Sequence, residues 1–308
     1  MKLLLLASIV FLTGGLFIGG PDYYDKPVIK ELWQSGHFML FFFLSFYLFV
    51  YSKLNCIEGI KRSITILGML LLAALLTETL QLLVGRNFEA KDILNDLLGT
   101  LTGLLIPYCR FKSNPGRSVL LVLLFTSLFF FSQKPLISEV IREMRIQWDF
   151  PVLSDFETPS QIDRWQPDFA KLSISESKVK DDRFSMRAEL LPGKYPGIIL
   201  THFHRNWQGY QFIDFSIYLD AEYPMDLRIK IHDRQHPASG YNYKDRFNDN
   251  LSLKPGWNDF SLSLQAIEDA PEERSMNMKK IVTLSLFTVD LKQNTTLFID
   301  NVRLTKNL

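Results

Sequence analysis

The stretch SITILGMLLLAALLTETLQLLV, from Ser63 to Val84, decides the class of the first half of the chain. It is apolar over the roughly 20 residues that a helix needs to cross a bilayer, and its only ionisable side chain is Glu78. Similar runs extend from Leu3 to Gly20, from Leu32 to Ser52 around His37, and from Ile93 to Tyr108 around Asp96. A fifth run covers Ser118 to Gln133, no longer than the run from Ile93, and spans if Lys134 snorkels and Pro135 to Ile137 continue its surface. The expected fold of this half is an α-helical membrane bundle of about five transmembrane helices. Gly14, Gly15, Gly19 and Gly20 do not form a small-residue cleavage site, so the first run reads as an uncleaved helix.

The second half has a different periodicity. In Asp226-Leu227-Arg228-Ile229-Lys230-Ile231-His232, apolar and charged side chains alternate, the pattern of a half-buried strand. Alternation recurs in Lys171 to Glu176, Ile213 to Leu219, around Leu251 and Leu253, in Phe260 to Leu264 and in Ile281 to Val289. Pro192-Gly193 and Pro255-Gly256 suit tight turns between such strands. An all-β jelly-roll sandwich domain is expected.

Charge agrees with this division. Residues 1–148 hold 14 Lys and Arg against 10 Asp and Glu, and the remainder holds 20 against 23. Neither half has the clustered basic face of a nucleic-acid binder, so no nucleic-acid partner is expected. Lys2, then Lys53, Lys61 and Arg62, then Arg110, Lys112 and Arg117 fall in alternate loops, which places those loops in the cytoplasm. With an odd number of crossings the C-terminal domain is extracytoplasmic. Cys56 and Cys109 then lie at cytoplasmic helix ends, and no structural disulfide is expected.

On this topology the polar residues of the membrane half gather at one level. His37, Glu78 and Asp92 are the candidate catalytic residues, and Asp25, Lys26, Gln81, Arg86 and Asn95 are the candidate pocket around them. An ionisable group inside an apolar span is costly unless it faces the bundle interior and finds a partner. Gly99 and Gly103 form a Gly-x-x-x-Gly pair that permits close helix approach and brings the fourth helix's carboxylates towards Glu78. The competing reading is a structural ion-pair lattice that ties the helix tops together.

The ordered set Asp25-Lys26, His37, Glu78-x-x-Gln81, Arg86, and Asp92-x-x-Asn95-x-x-x-Gly99-x-x-x-Gly103 resembles the VanZ-like membrane family over about residues 20–106. The resemblance implies a multi-pass protein of the bacterial cytoplasmic membrane, with membrane lipid as a partner. It also implies a link to glycopeptide-type antibiotic response without a settled reaction. The later part, with Asp155-Phe156-Glu157, Trp207-Gln208-Gly209-Tyr210, Tyr243-Lys244-Asp245-Arg246-Phe247 and Phe298-Ile299-Asp300-Asn301-Val302-Arg303-Leu304, resembles a carbohydrate-binding-module or galactose-binding-like jelly roll. The domains are accordingly a VanZ-like part over residues 1–137, a linker over 138–150 and a β domain over 151–308.

Within the β domain, Trp207, Tyr210 and Tyr243 are expected to stack on a sugar, and Asp233 and Arg246 to bind its hydroxyls. By the same resemblance Glu157 and Asp300 would help to hold a structural Ca²⁺; no other cofactor is expected. His232-x-x-x-His236 has a zinc-pair spacing but lies at a strand end beside Pro237, which argues against a zinc site. Three functions remain open. The first is an envelope protein whose outer domain recognises a cell-surface glycan; the second is an enzyme acting on a lipid-linked or glycan headgroup, with Glu78 or His37 as acid or base. The third, a transporter, lacks the interrupted repeats usual in that class.

Overall fold

The structure, a computed structural model, describes residues 2–17, 20–83, 89–109 and 115–306. The chain divides into two compact units, Met1–Glu143 and Met144–Leu308.

The first unit is helical: α1 (Lys2–Phe17), α2 (Pro27–Tyr51), α3 (Gly59–Leu83), α4 (Ala90–Leu105) and the start of α5 (Pro115–Asp149). Pro27 opens α2, where its missing N–H costs nothing, and Asp92 in the first turn of α4 suits the positive end of that helix. Helices α2, α3 and α5 are long and apolar enough to cross a membrane. Helices α1 and α4 have 16 residues each, a rise of about 24 Å against a hydrocarbon core of about 30 Å. The expectation of about five crossings is therefore met in length by three of the described helices. Ser118 to Gln133, one of the two shortest apolar runs, belongs to a helix of 35 residues. That helix continues unbroken through residues 138–149, which the sequence alone suggests are a linker.

Leu16, Leu40, Phe41, Ile66, Leu70, Ala74 and Leu104 form the apolar core of this unit. On its outside, Leu72, Leu76, Leu83, Leu120, Phe130 and Phe131 are exposed. So much uncovered apolar surface matches lipid as the solvent. Helix α5 packs on α2 through a ladder of rings, with Phe38 and Phe129 centroids 5.8 Å apart and Phe42 and Phe125 centroids 6.2 Å apart. The Ser35 hydroxyl extends the seam by donating to Gln133 Oε1 at 2.6 Å. Cys56 and Cys109 are free thiols.

The second unit is an antiparallel β-sandwich. Its strands are β1 (Val152–Ser154), β2 (Trp165–Asp168), β3 (Ala170–Ser175), β4 (Ser185–Leu190), β5 (Gly197–Leu200), β6 (Phe212–Asp220), β7 (Met225–Asp233), β8 (Phe247–Leu253), β9 (Gly256–Ser263), β10 (Ile281–Phe287) and β11 (Thr295–Thr305). One sheet has the order β3-β4-β11-β6-β9 with β1 added beside β11, and the other the order β2-β5-β10-β7-β8. Every alternating segment named above has its body in a strand, with Glu176, Leu264, Thr288 and Val289 falling just beyond the strand ends. Leu227, Ile229 and Ile231 of β7 enter the core with Leu284 and Leu286 of β10, while Asp226 and Arg228 point out. The turn after Pro255 places Gly256 at φ +93°, where a side chain would be strained.

Candidate functional sites: a buried imidazole–carboxylate cluster and an open sheet face

The first site is set by how closely α4 lies on α2. A Cβ at Gly99 would overlap the Phe38 carbonyl oxygen, and one at Gly103 would overlap Ser45 Oγ and the Phe42 carbonyl oxygen. The two glycines thus allow backbone contact, as their spacing suggests. That contact carries Asp92 and Asp96, four residues apart on one face of α4, to His37 of α2. His37 Nδ1 lies 3.1 Å from Asp96 Oδ1, and His37 Nε2 lies 3.4 Å from Asp92 Oδ2. Glu78 of α3 completes the group, its Oε2 accepting the Glu89 backbone N–H at 3.1 Å. One ligand atom from each of His37, Glu78 and Asp92 falls within 4.8 Å of the others. His37, Glu78 and Asp96 are fully buried, and Asp92 is 2% exposed.

The second site is the outward face of the β2-β5-β10-β7-β8 sheet. Strand register builds two rows across it, because directly paired residues of antiparallel strands share a face. One row is Gln166, Ile199, Ser285, Lys230 and Asn248; the next is Asp168, Gly197, Phe287, Arg228 and Asn250. Gly197 lies against Phe287, and a Cβ there would come within 2.6 Å of the Phe287 Cβ. Tyr195 meets Phe287 edge-on at 6.3 Å, and Tyr243 stands across the face with the Arg246 guanidinium 5.1 Å from its ring centre. The result is a cleft of about 400 Å³ lined by aromatic and aliphatic side chains together with Asp168, Arg228, Lys230 and Arg246. Burial, together with the positive charge of Arg246, pulls the Lys230 ammonium below its usual range, and Asp168 opposes that shift.

Residues 15–111 match the model of the VanZ/LLP1 family. All four members of the buried cluster lie in this VanZ-like domain. No curated protein matches the chain. Among solved structures, the chain is similar to an exo-β-agarase at 12% identity, over 51% of this chain and 25% of the agarase, with a TM-score of 0.41. It is also similar to a family 11 carbohydrate-binding module from Clostridium thermocellum in complex with a β-1,3-1,4-mixed-linked tetrasaccharide, at 14% identity, over 51% of this chain and 95% of the module, with a TM-score of 0.39. A family 30 carbohydrate-binding module of a cellulosomal cellulase of Clostridium thermocellum is similar at 10% identity over 46% of this chain and 94% of the module, with a TM-score of 0.36.

The VanZ-like domain brings together fewer of the expected pocket residues than their order along the chain suggests. His37, Glu78 and Asp92 converge. Lys26 instead pairs with Glu143 of α5, and Asp25 accepts the Asp22 backbone N–H at 2.8 Å. Gln81 Nε2 donates to the Leu16 carbonyl at 3.2 Å, tying α3 to α1, and Asn95 Oδ1 accepts from Ser132 of α5 at 3.4 Å. Arg86 lies outside the described residues. Asp96, with a carboxyl oxygen on the imidazole, is the member that the candidate set lacks; its position one turn after Asp92 is the available signal.

In the β-sandwich the expected sugar-binding set divides. Tyr243 and Arg246 line the cleft. Trp207 does not stack on solvent-borne ligands: it is fully buried, and its Nε1 donates to the His204 carbonyl at 3.0 Å. Tyr210 is half-buried beside Phe150, away from the sheet face. Asp233 is fully buried and holds Arg274 through two bonds, of 2.6 Å and 2.8 Å. It also accepts the backbone N–H groups of Gln235, His236 and Asn277, so its carboxylate is committed to folding this corner. Glu157 and Asp300 likewise serve backbone donors, Glu157 those of Arg183 and Phe184 and Asp300 those of Lys180 and Asn301. Among the described residues no third His, Cys or carboxylate side chain joins them in a ligand group. His232 and His236 rest ring to ring at 4.6 Å, and burial pulls the His232 imidazole down to about 4. Tyr195, Phe287, Arg228 and Lys230 are the face residues that sequence reasoning missed.

Proposed function

We propose that this is a cell-envelope membrane protein whose β-sandwich recognises a glycan on the open face of the β2-β5-β10-β7-β8 sheet. The observation that supports the reading is the pairing on that face of Tyr195, Phe287 and Tyr243 with Arg228, Lys230 and Asp168. Aromatic faces suit the apolar C–H side of a pyranose, and the charged groups suit its hydroxyls. Tyr195 and Tyr243 are 51% and 60% exposed, so neither is required for the core. On this reading the VanZ-like domain anchors the module in the cytoplasmic membrane, with the sandwich extracytoplasmic. The polar cluster is then buried inside the bundle at the level of the outer leaflet, near the lipid or lipid-linked headgroups where a glycopeptide-type antibiotic response would act.

Binding of bacterial envelope glycans and β-glucans by the full-length protein in detergent tests this. Wild type is expected to bind at least one class, and Tyr195→Ala and Tyr243→Ala to weaken that binding at least tenfold, the cost expected of removing a central aromatic anchor. Absence of binding across the array overturns the glycan reading. Reporter fusions after residues 112 and 148 test topology, with a cytoplasmic signal at 148 counting against it. A second reading, catalysis on a headgroup, is favoured by the contact of His37 with Asp96, which orients an imidazole beside Glu78 as acid–base chemistry requires. Loss of the envelope phenotype in Glu78→Gln would support it.

A further inference from the structure

The buried cluster gathers one imidazole and three carboxyl groups from three helices into a space closed to water. His37 is fully buried, and its Nδ1 faces Asp96 Oδ1 at 3.1 Å, so Nδ1 carries the proton and donates it there. Nε2 is directed towards the Asp92 carboxyl group, with Glu78 close by. It makes no hydrogen bond among the described residues, although Asp92 Oδ2 is only 3.4 Å away. Carboxyl oxygens gathered round that nitrogen in a dry site call for a positive centre between them, either a proton on Nε2 or a metal cation.

We propose that His37, Glu78 and Asp92 bind a divalent transition-metal cation of the zinc class, with Asp96 as the positioning residue. The His37–Asp92 distance fits this assignment. Bonds of about 2.0–2.1 Å to a tetrahedral zinc place neighbouring ligand atoms roughly 3.3 Å apart. The His37 Nε2 to Asp92 Oδ2 separation, 3.4 Å, is such an edge, and the third ligand atom lies within 4.8 Å of both. The ligand set is one imidazole and two carboxylates from three different helices, a three-ligand arrangement that leaves a coordination position open. The Asp96 contact completes a carboxylate–histidine–metal relay, in which the second ring nitrogen of a ligating histidine donates to a carboxylate that fixes its tautomer and orientation. Gly99 and Gly103 belong to the same design, because their lack of side chains lets α4 bring Asp92 and Asp96 to His37. The site is independent of the sheet face, so failure of glycan binding leaves it standing.

Full-length protein purified in detergent without chelator is expected to retain about one equivalent of zinc, or of a similar metal, by elemental analysis. After stripping with a chelator, titration with Co²⁺ is expected to produce visible d–d absorption that Zn²⁺ then displaces. His37→Ala and Asp92→Asn should weaken Co²⁺ binding at least 100-fold. Asp96→Asn should weaken it about 10- to 100-fold while shifting the Co²⁺ bands, as removal of an orienting partner does. A wild-type protein that is metal-free as purified and gives no Co²⁺ spectrum at millimolar Co²⁺ overturns the proposal and leaves an imidazolium at His37. So does a His37→Ala protein that binds Co²⁺ like wild type. The wild-type titration decides the matter even if a variant fails to fold.

Discussion

The two units of this chain handle polar groups in opposite ways. In the VanZ-like domain the outside is leucine and phenylalanine, and the ionisable side chains His37, Glu78, Asp92 and Asp96 are hidden at helix contacts. In the β-sandwich the inside is leucine and isoleucine, and Arg228, Lys230, Asp168 and the open tyrosines are displayed on a sheet face. The difference follows from the solvent each surface meets. Lipid drives polar groups inward, where they must satisfy one another, whereas water lets a sheet expose charge and aromatic surface for a ligand.

The comparison breaks most readily where a residue is moved from one role to the other. Trp207→Ala tests whether that indole belongs to the core or to a binding surface. As a fully buried side chain it should cost about 4 kcal/mol in denaturant unfolding of the β unit. A stable Trp207→Ala protein with impaired glycan binding would return Trp207 to the surface set. Gly99→Leu probes the other unit. Overpacking against the Phe38 backbone should cost about 3 kcal/mol and lower the melting temperature in detergent.

A smaller effect lies in the pH response of the β-sandwich. The folded His232 imidazole is held down to about 4 from an ordinary 6.5, so its unfolded form takes up a proton first as the solution is acidified. Its contribution is complete above pH 6.5 and is lost as pH falls towards 4, by about 3 kcal/mol in all. Asp300 acts in the opposite sense. Burial pushes its carboxyl up to about 6 from 3.8, so the folded form is protonated first and gains stability over nearly the same window. The wild type should therefore change little between pH 6.5 and 4. The His232→Gln variant should gain on wild type as pH falls, which thermal melts at pH 7 and pH 4 would reveal; an unchanged difference would mean that His232 is not held neutral.

The smallest effect on stability belongs to the displayed face. Tyr195→Ala should leave unfolding within about 0.5 kcal/mol of wild type, as surface changes away from special features do. A larger loss would mean that the face is part of the packing and would weaken the contrast between the units.

Much of this was legible along the chain. The apolar run around Glu78 marks a membrane helix, and the alternation at 226–232 marks a strand, because both patterns record solvent and period locally. His37, Glu78 and Asp92 could be singled out because each is costly in its segment. Lys26 could not be placed, since a long side chain at a helix start reaches several partners and its choice of Glu143 depends on where α5 packs. Trp207 and Tyr210 looked like sugar-stacking residues because aromatic type says nothing about which side of a sheet a loop residue takes.

The sequence by itself determined the two solvents, the helical and strand periods, the close-approach glycines of α4 and the identity of the expensive buried groups. Tertiary structure alone decided which groups meet. His37 Nε2 faces Asp92 only because α4 lies against the α2 backbone, and Phe287, Arg228 and Asp168 form one row only through the register of three strand pairs. Local patterns tell a side chain which face to take. The partner across that face is set by how distant segments pack, because a shift of one residue in register would turn each of those side chains to the other side of the sheet.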